Sequence, residues 1–356
     1  MSSPTGSKTA QILIAVTLVV AVVILIPSPS SSAFVTRVGT QLDLAGSPFR
    51  FEGFNIYNAN SNGGCVPKAD LAQSLAAIGP GQKVIRVFFF QPWATKNGAR
   101  DWTAFDQTLA TAKAYGVKVI PVLANQWAYC DGSSVPRYLA WYQTGYRTQV
   151  DTGSLVSYRD WVAEMVSRYA NDPTIAFWQL VNEGEARNPD GTCSETTAAS
   201  ALRAFADDVG GLVHSLDPNH LVSLGTISGE CGSNEGHYQT IYASPSIDIC
   251  DYHDYRFPTS PMGNTDPYNG LQTTIDRCHA INKPIFVGET GIHGQPGAYS
   301  LTDRAAYFDA KFTAQFSAGV VGELMWNWSL TPGSCGTACN YEIGPGDPSL
   351  GLLNRY

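Results

Sequence analysis

Two glutamates in this 356-residue chain each close an apolar, strand-like run. Glu183 ends TIAFWQLVNE, where Ile175, Phe177, Gln179, Val181 and Glu183 fall on one face at a period of two. Glu289 lies in KPIFVGETG, with Ile285 and Val287 below it on the same face. A carboxylate at the end of a buried strand must be paired, solvated or neutralised, so packing alone does not call for it. Asn182 precedes Glu183, a further run carries Arg86, and others bring a matching set of polar and aromatic groups to their ends: Asn125, Trp127, His253, Tyr255 and Trp326. Two carboxylates ringed by such groups are the equipment of glycoside hydrolysis. One acid protonates the leaving oxygen, and the other attacks the anomeric carbon or activates water. Arg86 and Tyr255 beside Glu289 are expected to lower its pKa. Glu183, among apolar walls and near a second carboxylate, is expected to be held protonated. His253 is expected to orient Glu183 or a sugar hydroxyl. A structural ion pair of either glutamate with Arg86 is the bland alternative.

Something must bring these groups together, and the segment pattern supplies it. Strand-like segments at 49–57, 83–90, 118–125, 174–183, 221–227, 247–255, 284–289 and 321–328 alternate with helical ones. Among the helical patterns, Trp161, Val162, Met165, Val166 and Tyr169 repeat at the 3.6 period, as do Leu202, Phe205, Val209, Leu212 and Val213, and Phe308, Phe312 and Phe316. Such alternation builds either a closed parallel barrel or an open doubly wound sheet. No glycine-rich phosphate turn and no nucleophile elbow is present, and the count of eight favours the barrel. The expected architecture is an α/β (β/α)8 TIM barrel spanning 34–356, with long disulfide-bonded loops. An N-terminal β-hairpin is expected to precede it, turning at Ala45-Gly46. In this fold the active groups sit at the C-terminal strand ends, where the candidates fall. No convincing eighth helix follows Trp328, and only 344–356 remains to close the barrel.

Residues 1–33 read as an export signal or N-terminal anchor: Lys8, an apolar run from Ile12 to Ile26, then small residues at Ser31 and Ala33. The run is shorter than a usual membrane span, so the expectation is a secreted or envelope protein, membrane-attached only through an uncleaved segment. Eight cysteines then read as disulfides. The sequence does not choose among the many pairings that eight cysteines allow; position along the fold offers Cys65–Cys130, Cys193–Cys231, Cys250–Cys278 and Cys335–Cys339 as one set. A net charge of −8 without any Lys/Arg run argues against nucleic acid or an anionic membrane as partner. Neither C-x-x-C nor H-E-x-x-H occurs, so no metal or cofactor is called for, and a monomer is expected.

The residues at the strand ends resemble glycoside hydrolase family 5, within the large clan of (β/α)8 glycosidases. The likeness rests on Arg86, the Asn182-Glu183 pair, His253-x-Tyr255, Glu289 in GETG, and Trp326. Asn125-Gln126-Trp127, Arg187 and an early G-x-N-x-Y (Gly53, Asn55, Tyr57) look like the β-mannanase branch of that family. The resemblance implies a retaining mechanism with Glu183 as acid/base and Glu289 as nucleophile. It also implies that Asn182 holds the sugar 2-hydroxyl and that Trp326 floors the subsite of the attacked sugar. Asn55, Asn125 and Trp127 join Arg86, His253 and Tyr255 as expected substrate-binding residues. The expected partner is a β-1,4-linked polysaccharide, mannan first and glucan next. A carbohydrate-binding cell-wall protein that kept the barrel without catalysis is the rival from another class.

Overall fold

The computed structural model describes residues 1–2, 33–294, 299–333, 340–353 and 355–356. Eight parallel strands form one sheet: β1 (Phe51–Asn55), β2 (Val84–Phe88), β3 (Lys118–Val122), β4 (Phe177–Gln179), β5 (Leu221–Ser223), β6 (Cys250–Asp254), β7 (Ile285–Thr290) and β8 (Gly322–Met325). The spatial order is β5-β4-β3-β2-β1-β8-β7-β6, and a parallel bridge between Ser223 and Ile249 joins its two ends. The sheet is therefore a closed barrel.

Helices α1 (Leu71–Ile78), α2 (Thr103–Ala114), α3 (Tyr158–Tyr169), α4 (Glu195–Phe205), α5 (Gly236–Tyr242), α6 (Leu271–Ala280) and α7 (Leu301–Ser317) surround it. Their start signals are local: Asp70, Ser157 and Ser300 each accept a hydrogen bond from the backbone N–H three residues on. After β8 a short 3-10 helix, Pro348–Leu352, packs on α7 where an eighth helix would stand.

Two apolar cores result. Phe51, Val84, Ile120, Phe177, Ile249, Phe286 and Leu324 fill the barrel, while a larger set lies between strands and helices. The expected hairpin is a three-stranded antiparallel sheet (Val35–Val38, Gln41–Leu44, Ser47–Phe49) that turns at Ala45 and Gly46, both at positive φ. Its Val35 and Leu42 join the interior cluster and plug the bottom of the barrel. Gly53 of β1 has a packing reason, since a Cβ there would lie 1.8 Å from the Val84 carbonyl oxygen.

Three of the four expected disulfides are formed: Cys65–Cys130, Cys193–Cys231 and Cys250–Cys278. The Cys335–Cys339 pairing and the export segment at 3–32 lie outside the described residues. Among the described residues no helix is long and apolar enough to cross a membrane.

Candidate active site

The expected residues meet at the C-terminal mouth of the barrel. Arg86, inward on β2 and fully buried, donates to Glu289 Oε1 (2.7 Å), Asn182 Oδ1 (2.6 Å), Asn55 Oδ1 (3.0 Å) and Gln179 Oε1 (2.7 Å). The second oxygen of Glu289 accepts from the Tyr255 hydroxyl at 2.5 Å. Burial and the facing Glu289 carboxylate push the Tyr255 pKa well up, so this hydroxyl remains a donor. Glu183 is held by His253 Nδ1 at 2.7 Å and by the Trp127 indole N–H at 2.5 Å. Asn182 Nδ2 donates to Asn125 Oδ1 at 3.0 Å, tying the ends of β3 and β4 together. Trp326 stacks on Tyr57 (5.2 Å, 13°) and lines a cleft of about 360 Å³ with Phe88, Trp127, Tyr129 and Tyr341. Both glutamates line the same cleft.

Neither glutamate reaches this cleft by plain alternation, and the sequence-based face assignments need correction. In β7 it is Phe286 that enters the barrel interior, while Ile285 and Val287 pack outward among the helices. The register shifts between Tyr252 opposite Val287 and His253 opposite Glu289, so Gly288 is an extra residue. That bulge turns Glu289 inward. In the first run, β4 ends at Gln179, and Leu180 and Val181 both pack outward. Asn182 then turns in, and Glu183 follows in the left-handed region (φ 54°), so consecutive residues share one pocket.

The electrostatics also differ from expectation. Burial would raise the Glu183 pKa, but hydrogen bonds from His253 and Trp127 with the charges of His253 and Arg86 hold it below the usual value. Complete burial raises Glu289, aided by the Glu183 charge and opposed by His253 and Arg86. The cause is His253: burial disfavours its charge, yet Glu289, Asp251 and Glu183 around it push its pKa up to about 10. His253 and Glu183 thus favour each other's charged forms, the histidine pushed up and the glutamate held down. Glu183, His253 and Glu289 place potential ligand atoms within 4.8 Å of one another. Within the trio, His253 Nδ1 is already engaged with Glu183 Oε1 at 2.7 Å.

Trp127, expected to contact substrate, also anchors Glu183 and lines the cleft as a residue 46 % exposed. Arg187 pairs with Glu185 (2.8 Å) and Glu230 (3.5 Å) and makes no hydrogen bond to either site glutamate. Gln179 went unassigned in the sequence, although it relays Arg86 to Asp251 (2.7 Å), whose other oxygen accepts from the Gly288 N–H. Its signal was a lone amide on the inward face of an apolar strand. Tyr341 gave no signal, because it lies in a segment without strand or helix periodicity.

Comparison with known proteins agrees with this geometry. The model of the cellulase family, glycosyl hydrolase family 5, matches residues 42–331. The chain belongs to glycosyl hydrolase family 5. This family 5 chain is 28% identical over 340 residues to mannan endo-1,4-beta-mannosidase A of Hypocrea jecorina, covering 86% of this chain and 73% of the relative. It is 23% identical to a putative mannan endo-1,4-beta-mannosidase 9 of Oryza sativa, covering 88% and 86%. Among solved structures, the endo-1,4-beta-mannanase of Rhizomucor miehei shares the fold with a TM-score of 0.66 at 20% identity, over 90% of this chain and 97% of that one. The protein is therefore a glycoside hydrolase on a TIM barrel.

Proposed function

We propose that this enzyme cleaves β-1,4-linked mannan within the chain, with retention at the anomeric carbon, Glu289 as nucleophile and Glu183 as acid/base. The observation that carries the reading is spacing: Glu183 and Glu289 offer carboxylate oxygens within 4.8 Å of each other. A retaining pair needs about 5–5.5 Å between carboxyl groups, whereas an inverting pair needs about 6.5–9.5 Å to admit water.

In the first step Glu289 attacks the anomeric carbon of a sugar lying on Trp326, and the bond to the leaving oxygen breaks. That oxygen takes a proton from Glu183. Glu183 Oε1 lies 2.7 Å from His253 Nδ1, which orients the acid toward the leaving oxygen. Arg86 and Tyr255 hold Glu289 ionised and aligned as the covalent glycosyl-enzyme forms. In the second step water attacks the same carbon, Glu183 takes its proton, and the bond to Glu289 breaks.

Mannan as substrate is supported by the names of the sequence relatives. Internal cleavage is supported by a cleft that continues on both sides of Glu183. Export is supported by three disulfides, which persist in oxidising compartments. A non-catalytic binding protein has no need of an acid braced by His253 and Trp127 opposite a nucleophile braced by Arg86 and Tyr255.

The test is a panel of polysaccharides with the parent enzyme and two variants. Glu289→Ala should lose hydrolysis of mannan, and azide should restore turnover of an activated β-mannoside to give the α-azide. Glu183→Ala with azide should give the β-azide. Parent-like release of reducing sugar by Glu289→Ala sinks the assignment.

A further inference from the structure

Behind Glu183 the cleft continues into a second, polar pocket of about 290 Å³ lined by Ser228, Glu230, Arg256, Asn264, Asp266 and Asn269. Glu183 and Tyr255 border both pockets, whereas Glu289 and Trp326 border only the first. The attacked sugar must lie against the nucleophile, so the second pocket is on the leaving-group side.

The loop from β6 to α6 forms much of that pocket and leaves two aromatic rings in solvent, Phe257 at 59% exposure and Tyr268 at 57%. Each is next in sequence to a pocket-lining residue, Arg256 and Asn269 respectively. Neither exposure reflects a loose loop. Asp266 Oδ1 accepts from the N–H groups of Tyr268 (2.8 Å) and Asn269 (2.7 Å). Asn269 is clamped in turn to Asn234 (2.7 Å) and to the Glu235 N–H (2.8 Å). Gln315 of α7 donates to the Pro261 carbonyl at 3.0 Å. Phe257 also sits in the left-handed region at φ 52°, a costly conformation for a bulky side chain. Its carbonyl accepts from the Ser260 N–H at 2.9 Å, so a fixed turn holds this apolar ring in water.

We infer that Phe257 and Tyr268 form an outer stacking platform on the leaving-group side, holding a β-linked hexose unit beyond the pocket behind Glu183. The apolar faces of pyranose rings suit exposed aromatic surface, and a fixed loop binds without first being ordered. The platform makes the enzyme favour long chains over short substrates. This inference rests on the proposed glycanase function.

Three variants test it: Phe257→Gly, Tyr268→Ala and the double variant. The substrates are mannohexaose and a nitrophenyl β-mannobioside, whose aryl group reaches only the position next to Glu183. The expected result is a roughly 3- to 10-fold fall in kcat/KM per ring on the hexasaccharide, carried by KM. The aryl substrate should be turned over at the parent rate. Phe257→Gly should keep or raise the Tm, because glycine accepts that φ, so lost activity would not reflect lost fold. Equal effects on both substrates, or none on the long one, overturn the platform. If the parent cleaves glucan and not mannan, the substrate assignment falls, and the same comparison with cello-oligosaccharides still decides the platform.

Discussion

Arg86 directs all three guanidinium nitrogens at inward-facing oxygens, so it organises Asn55, Gln179 and Asn182 as well as Glu289. Lysine at this position keeps the charge but has no planar fork to serve four partners at once. Arg86→Lys is therefore expected to lower kcat by about 10²–10³, the scale of losing a preorganised electrostatic donor. A pH profile separates this from simple misfolding. Glu289 must be ionised to attack, and its pKa is already raised by burial and Glu183 against the pull of His253 and Arg86. Weakening Arg86 raises it further, so the acid limb of kcat/KM should move to higher pH. An unmoved acid limb would mean that Arg86 only braces the loops.

The elements that aim these residues depend on two local departures from regular geometry, the bulge at Gly288 and the left-handed Glu183. Both explain how far the sequence could be read. Strand identity was legible because apolar runs separated by helical periods are dictated by burial, and so was the presence of a carboxylate at two strand ends. The faces were not. A period of two assigns Val287 and Glu289 to one side, and nothing in PIFVGETG announces that Gly288 is extra. The reversal of the expected pKa order was equally hidden, since it follows from the burial of Glu289 and from the hydrogen bonds that His253 and Trp127 give to Glu183. Regular packing in the middle of β1 gives a cleaner forecast. Gly53→Ala would drive a methyl into the Val84 carbonyl, 1.8 Å away. The strand pair must separate, so thermal unfolding should show a loss of more than about 2 kcal/mol. A parent-like Tm would show that β1 and β2 yield easily.

At the scale of the whole molecule, buried carboxylates set the dependence of stability on pH. Glu52, Glu289, Glu323 and Asp254 are all raised, chiefly by burial, and Glu230 is pushed up to about 7 by burial and by Glu185. A group with a raised folded pKa binds its proton in the folded state first, so its contribution is lost as pH climbs through that pKa. His253, raised to about 10, has the same sign over a higher window. Asp217 and Asp208 are depressed by their cationic and hydrogen-bonding partners against burial, and their contributions are lost as pH falls below the ordinary carboxylate range. The Tm should therefore peak on the mildly acidic side and decline from about pH 5 to pH 8. Calorimetry showing a Tm that rises across that range would contradict this balance.

The claim on which the rest depends is double displacement between Glu183 and Glu289. Proton NMR of mannopentaose hydrolysis, recorded within the first minutes before mutarotation, reads the anomer formed at the new reducing end. This account expects the β-anomer to appear first and the α-anomer to grow in later. The α-anomer as first product would mean direct attack by water, and would contradict it.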